Sequence, residues 1–269
     1  CWRIHGFADE EPACWKNRNL FAAFSAYYCD RISARDIGLC MIEGKTGSTA
    51  IQHPKGIIPV NGNAKLISAN DTSGFTYRGR FLEKWQAASV GYVASQKAHN
   101  AIRWLASDQG VREFSGNRIF LCWSPQGTGI PKPMRRLPST ETQAARKPSD
   151  YRKQLQGTLL SFQKDWQFRD TDAAILVSFD AGRLSVTYYN ELSLSTFLER
   201  MQTWDAHCCW YAGKYGIQAP NLFQIVECAY GTQRGQFLET DDRIQRQHLQ
   251  RLLNCKVSGG VFPQDIVTA

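Results

Sequence analysis

No apolar run in this 269-residue chain approaches the roughly 20 residues that a membrane-spanning helix needs, and its opening does not read as a secretory leader. A membrane partner is therefore not expected. The nine cysteines, at positions 1, 14, 29, 40, 122, 208, 209, 228 and 255, include no C-x-x-C pair, and their number is odd. Neither a zinc ribbon nor a disulfide framework is signalled, so no cofactor and no structural metal are expected. Most of these thiols sit in apolar company, as in Leu121-Cys122-Trp123, which fits free buried cysteine and a cytoplasmic location. A phosphate-cradling P-loop, a dinucleotide fingerprint and internal repeats are also missing.

Acidic residues are scarce in one place above all. From His53 to Arg80 the only acid is Asp71, against Lys55, Lys65, Arg78 and Arg80. The stretch is rich in glycine and asparagine and carries Pro54 and Pro59, so it reads as turns and tight loops. Ile57, Ile58, Val60, Leu66, Ile67, Phe75 and Tyr77 give those loops apolar anchors. Anchored loops with amide side chains, bare backbone amides and net positive charge suit a polyanion, and amides also read base edges. The alternative is an ordinary hairpin-rich connector.

Within this block, His53-Pro54-Lys55-Gly56, Gly62-Asn63-Ala64-Lys65-Leu66-Ile67-Ser68-Ala69-Asn70 and Ser73-Gly74-Phe75 resemble the central block of the large subunit of the type I-C CRISPR effector complex. Gly38 to Gly44 upstream is similar to that family's short cysteine-containing segment. The helix around Tyr92 to Leu105, the strand ending Cys122-Trp123 and Gly182-Arg183-Leu184-Ser185-Val186 are similar too, in the same order. The resemblance covers about residues 14–200. It implies a non-catalytic DNA-binding subunit of an RNA-guided surveillance complex, which recognises the motif flanking the target and aids duplex opening. The implied partners are double-stranded target DNA, guide RNA, the other effector subunits and a recruited helicase-nuclease. The family's subunit is longer, which together with the start at Cys1 implies a central fragment. Asn63 and Lys65 stand where the family's commoner form has Gln and Ser, so the bases read are open.

The expected nucleic-acid-binding residues are Lys55, Gly62, Asn63, Lys65, Ser68, Asn70, Arg78 and Arg80. Gly62, Asn63, Lys65, Ser68 and Asn70 would give base-edge contact and close backbone approach, and Lys55, Arg78 and Arg80 the surrounding charge. A scaffold that holds guide RNA and other subunits, with motif reading elsewhere, is the alternative.

The fold class expected is α+β: a mixed sheet with packed helices, followed by a β-hairpin–helix unit. Cys1 to Phe7 reads as a strand, Trp15 to Cys29 as a helix and Leu39 to Ile42 as a short strand. Leu82 to Ser107 reads as one long helix, with Ala87, Gly91, Ala94, Ala98, Ala101 and Leu105 on a small-residue seam. Arg118 to Trp123 is a strand. Five of the ten prolines and a cluster of Lys and Arg then mark residues 124–157 as a mobile basic loop or linker. Ala173 to Phe179 and Arg183 to Tyr189 form a hairpin whose first strand is central. A capping box, Thr196 to Glu199, opens a helix with Phe197, Met201, Trp204, Cys208 and Tyr211 at helical spacing. Helical stretches follow at Leu222 to Ala229 and Arg243 to Leu253. The parts are thus 1–130, a loop-rich α/β DNA-contacting part, 131–157, a basic Pro-rich linker or loop, and 158–269, a hairpin–helix part. Their charges are 15 basic against 10 acidic, 7 against 2, and 10 against 12, which assigns the polyanion to the first half and a protein partner to the tail.

Three enzymatic readings fail on spacing. Asp36 with Glu43-Gly44-Lys45 mimics a magnesium nuclease, but Gly44 turns the chain where a strand should present both side chains. His207, Cys208 and Cys209 point apart on a helix, at about 100° per residue, and do not converge with Asp205. Glu239, Asp241 and Asp242 lack the spacing of a calcium loop.

Overall fold

A computed structural model describes residues 2–4, 11–33, 37–58, 64–67, 80–108, 111–112, 118–137, 144–164, 172–180 and 184–269. The protein is α+β, and the ladders among the described residues are antiparallel. It forms two compact units, Cys1–Arg103 and Trp104–Ala269.

The first unit opens with α1, Arg18–Ser33, started by Asn17, whose Oδ1 accepts from the Leu20 amide at 3.0 Å. The aromatic residues that give α1 its helical period are exposed. Of the expected opening strand, the described part is a single bridge, Arg3 to Ala13; Cys1 and 5–7 lie outside the described residues. A hairpin joins β1, Ile37–Leu39, to β2, Thr46–Ser48, so the short strand lies earlier than expected and residues 41–43 are its turn.

The expected helix over 82–107 is two: α2, Lys84–Ala87, and α3, Tyr92–Asp108. Between them the backbone serves the hairpin and not a helical ladder. Ser89 O accepts from the Met41 amide, Val90 O accepts from the Ala50 amide, both at 2.8 Å, and Gly91 bridges Thr49. Gly91 lets the chains approach closely here: a Cβ would stand 3.3 Å from Cys40 Sγ. The small-residue seam is correspondingly displaced. Ala94, Ser95, His99, Leu105 and Ala106 are buried, whereas Ala98 and Ala101 face solvent. A small core of Cys40, Val90 and Ala94, with Ile67 against it, holds the hairpin to α3.

In the second unit, β3, Val111–Arg112, β4, Arg118–Trp123, β5, Asp172–Asp180, and β6, Leu184–Ser193, make one sheet in the order β3-β4-β5-β6. The expected hairpin is present with its first strand central, and its turn at 181–183 lies outside the described residues. Because β4 pairs with β5, the strand assigned to the first part and the hairpin assigned to the third share a sheet.

The described parts of 131–157, residues 131–137 and 144–157, pack into the core. Met134, Leu137 and Ala145 are buried, and α4, Pro148–Lys164, adds Tyr151, Leu155 and Leu159 to the same core. The Tyr151 hydroxyl donates to Leu137 O at 2.5 Å. Pro133 sits in the turn closed by the Arg135 amide donating to Lys132 O at 3.0 Å, and Pro148 in the first turn of α4, while the buried apolar side chains between turn inward.

Helix α5, Leu194–His207, is capped by Ser193 and not by Thr196: the Ser193 Oγ accepts from the Thr196 amide at 3.3 Å, because β6 runs straight into the helix. Phe197 and Met201 are buried as expected, but Cys208 ends α5 and Tyr211 lies in β7, Trp210–Tyr211, which pairs with β8, Ile217–Gln218. Next come α6, Leu222–Tyr230, the hairpin β9, Thr232–Arg234, and β10, Phe237–Glu239, then α7, Asp242–Ser258, and α8, Gln264–Val267. Leu222, Val226, Leu249, Leu252, Leu253 and Val257 close the core over β4 and α5. The cysteines are less uniformly inside than expected: Cys40 and Cys122 are buried, and Cys228 is exposed.

Candidate nucleic-acid interface

The loop block is built around a pair of lysines. Lys55 and Lys65 form an isolated antiparallel bridge, and the Gly56 amide donates to Ala64 O at 3.1 Å. Gly56 has φ +62°, a left-handed conformation that glycine adopts without strain. On one side of Lys55 the chain is fixed by Ile57 and Ile58, both buried, with Ala64. On the other, His53 Nδ1 meets Ser95 Oγ on α3 at 2.9 Å. Arg103, also on α3, donates from Nη2 to Lys55 O at 3.1 Å. The backbone at Lys55 is thus pinned from three directions while its side chain stays exposed.

His53 lies over a short polar column. Its ring stacks on His99 at 5.8 Å, and His99 Nδ1 donates to Ser95 O at 2.6 Å. Burial holds the His53 imidazole below its ordinary pKa, with His99 and then Lys65 adding to the effect, so it is neutral at neutral pH.

These residues border an open cleft of about 580 Å³. Lys55 and Lys65 supply its charge, Gln52 and Gln96 its amides, and Tyr28 and Tyr92 an aromatic wall; among the described lining residues there is no carboxylate. The Tyr28 and Tyr92 rings lie 5.5 Å apart at 50°. Cations, amide donors and acceptors, and ring faces are the groups that engage phosphate, base edge and base face respectively.

Of the expected site residues, the structure brings Lys55 and Lys65 together. Arg80 is exposed, with its guanidinium 5.7 Å from the Phe81 ring centroid, and does not line the cleft. Gly62, Asn63, Ser68, Asn70 and Arg78 lie outside the described residues. The sequence reading missed His53, Ser95, His99, Gln52, Tyr28 and Tyr92. The i, i+4 spacing of Ser95 and His99 was the available signal, obscured by the neighbouring alanines.

The rejected enzymatic constellations have other roles. Asp205 is wholly buried and accepts from Lys256 Nζ at 2.8 Å. Asp241 caps α7, accepting from the Arg243 amide, and Glu239 makes an exposed pair with Arg234 at 3.6 Å. Asp36 lies outside the described residues. Among the described residues no group of three or more His, Cys, Asp or Glu side chains is arranged to hold a metal, and no helix is long and apolar enough to cross a membrane.

A positively charged, amide-bearing cleft with tyrosine walls is chemistry suited to polyanions. The chain belongs to the CRISPR-associated Csd1 family: the family model described as CRISPR-associated protein (Cas_Csd1) matches residues 1–269. Membership makes it a subunit of a Cascade-type CRISPR assembly, consistent with the large subunit of the type I-C complex, and makes other subunits of that assembly its partners. The comparison with curated proteins gave no match.

Proposed function

We propose that this chain is the non-catalytic DNA-binding subunit that recognises the motif flanking a CRISPR target and helps to open the duplex. The observation that supports it best is the paired Lys55 and Lys65 on the lining of a cleft, with Gln52 and Gln96 also lining it. Lys65, with Gly62, Asn63, Ser68 and Asn70, reads base edges; Lys55, Arg78 and Arg80 meet phosphate. Protein contacts of this kind read a few base pairs, and guide–target pairing reads the rest. The reading places the protein in the cytoplasm, with target duplex, guide RNA and a recruited helicase-nuclease as partners.

The test is binding of the assembled complex to target duplexes that differ only in the flanking motif. Asn63→Ala and Lys65→Ala complexes are expected to lose discrimination between flanks. A target already opened at the flank should restore their binding to the wild-type level, because guide pairing is untouched. Failure of that rescue would remove the role in duplex opening.

A further inference from the structure

The second unit carries a cleft of its own, of about 500 Å³, whose described lining residues all belong to Trp104–Ala269. One side is a face of α5, where Thr196, Arg200, Thr203 and Trp204 recur at three- and four-residue spacing. The other is the end of α7 with residues 259–262. Gly259 ends α7 in the left-handed conformation, at φ +70°, and Phe262 beyond it stacks on Trp204 with centroids 5.5 Å apart and planes at 28°. A cleft of this size, with a stacked ring pair and few polar groups, has the build of a small-molecule site.

Two residues on this lining have donors short of acceptors. Trp204 Nε1 is buried with no hydrogen-bond partner among the described residues, an uncommon state for an indole N–H. Arg200 donates from Nη1 to Val257 O at 2.6 Å, which caps the last turn of α7, but it meets no carboxylate among the described residues. That bond fixes the guanidinium beside Gly259, where a Cβ would stand 3.4 Å from Nε, and Nη2 is left over. Lys256, the other cation on the lining, is wholly buried and neutralised by Asp205 at 2.8 Å. Glu199 is exposed on the rim, so water screens its charge more than that of the half-buried Arg200. One dominant cation suits one acid group, whereas a run of phosphates needs several.

We propose that this cleft binds a small aromatic carboxylate, its acid group on the Arg200 guanidinium and its ring against the Trp204–Phe262 pair. The site goes beyond the nucleic-acid reading and does not depend on it. An occupant held between Arg200 and the ring pair ties residues 259–262 to α5 and stabilises the second unit by mass action.

The test titrates the purified chain with phenylacetate and with phenylacetamide, the same ring without the charge, and reads binding by ligand-observed NMR. Phenylacetate should bind wild type with a Kd of about 1 mM or tighter, about tenfold or more tighter than the amide. That preference should shrink as salt is raised. Arg200→Gln should bring it to about one. Glu199→Gln should strengthen phenylacetate about threefold and leave phenylacetamide unchanged, since it removes only the rim charge. Because Arg200 also caps α7, denaturant unfolding establishes that Arg200→Gln folds; should it not, the Glu199→Gln titrations decide. No saturable binding of phenylacetate to wild type, equal affinity for the amide, an undiminished preference in Arg200→Gln, or unchanged phenylacetate affinity in Glu199→Gln would overturn the proposal. Lost association of Arg200→Gln with the other subunits, combined with no phenylacetate binding to wild type, would assign the cleft to a protein and also overturn it.

Discussion

The two units of this protein use their aromatic and apolar residues in opposite ways. In Trp104–Ala269, Phe197, Met201, Leu222, Leu249 and Leu252 are wholly buried in one core that draws on a sheet and five helices. Among the described residues of Cys1–Arg103, Cys40, Val90 and Ala94 cluster and Ile57, Ile58 and Ala64 are buried, while Leu20, Phe21, Phe24, Tyr27 and Tyr28 remain exposed along one helix. Each buried leucine or phenylalanine contributes on the order of 1.5–3 kcal/mol, so the core of Trp104–Ala269 is a major source of that unit's stability.

The largest effect that would break this contrast lies in the second unit. Asp205 and Lys256 form an ion pair with both side chains at 0% exposure. Asp205→Ala should destabilise this unit by about 3–5 kcal/mol, because it strands a buried ammonium, whereas Asp205→Leu with Lys256→Met should recover most of that loss. Denaturant unfolding of the single and double variants checks this. Retention of full stability by Asp205→Ala would show that the core does not depend on the pair.

A smaller effect is expected in the first unit. Gly91→Ala forces a Cβ against Cys40 Sγ at 3.3 Å and Glu43 Oε2 at 3.5 Å, and should cost about 1–3 kcal/mol. Because Gly91 joins α3 to the hairpin, amide exchange should accelerate around β1 and β2 and stay unchanged in β4. Uniform acceleration would mean that the two units do not unfold separately.

Much of the second unit was legible because its elements obey simple periods. Arg118–Trp123 is a nearly unbroken apolar run, and the alternating residues after Leu184 announce a hairpin partner. The packing of 131–137 and 144–157 was not legible because proline and arginine set their composition, while Met134, Leu137 and Tyr151 decide where they pack. The long helix failed because Ser89, Val90 and Gly91 give their backbone to partners some 40 to 50 residues away in sequence, and a local period does not encode that. In the loop block, Lys55 and Lys65 stand out in the sequence, but their pairing across a bridge does not. The cleft was not legible, since Tyr28 and Gln96 reach it only through tertiary packing.

The mildest probe is pH. Burial, then His99 and Lys65, holds His53 below its ordinary pKa, so the unfolded chain binds this proton first as acid is added. The neutral ring's contribution to the first unit is full above about pH 6.5 and is lost as pH falls toward the folded-state pKa. His248 in the second unit is lowered in the same sense by burial and then Arg251, against Asp265. Asp265 itself, held at about 2 chiefly by its hydrogen bonds from Arg251, adds a loss only as pH falls from about 4 toward 2. A His53→Gln variant should therefore flatten the response of the first unit below about pH 6.5 and leave that of the second. An unchanged profile in the first unit would show that His53 does not titrate with folding.

The central claim is that the loop block reads the flank, and the most direct measurement is one ratio. It is the affinity of the assembled complex for a cognate flank over that for a scrambled flank, at one fixed salt concentration. Asn63→Ala and Lys65→Ala should each lower the ratio by about 5- to 150-fold, the equivalent of about 1–3 kcal/mol of base-edge discrimination. Lys55→Ala should weaken both affinities equally and leave the ratio as it is. A ratio identical in wild type and both base-edge variants would contradict the account and leave the protein as a scaffold.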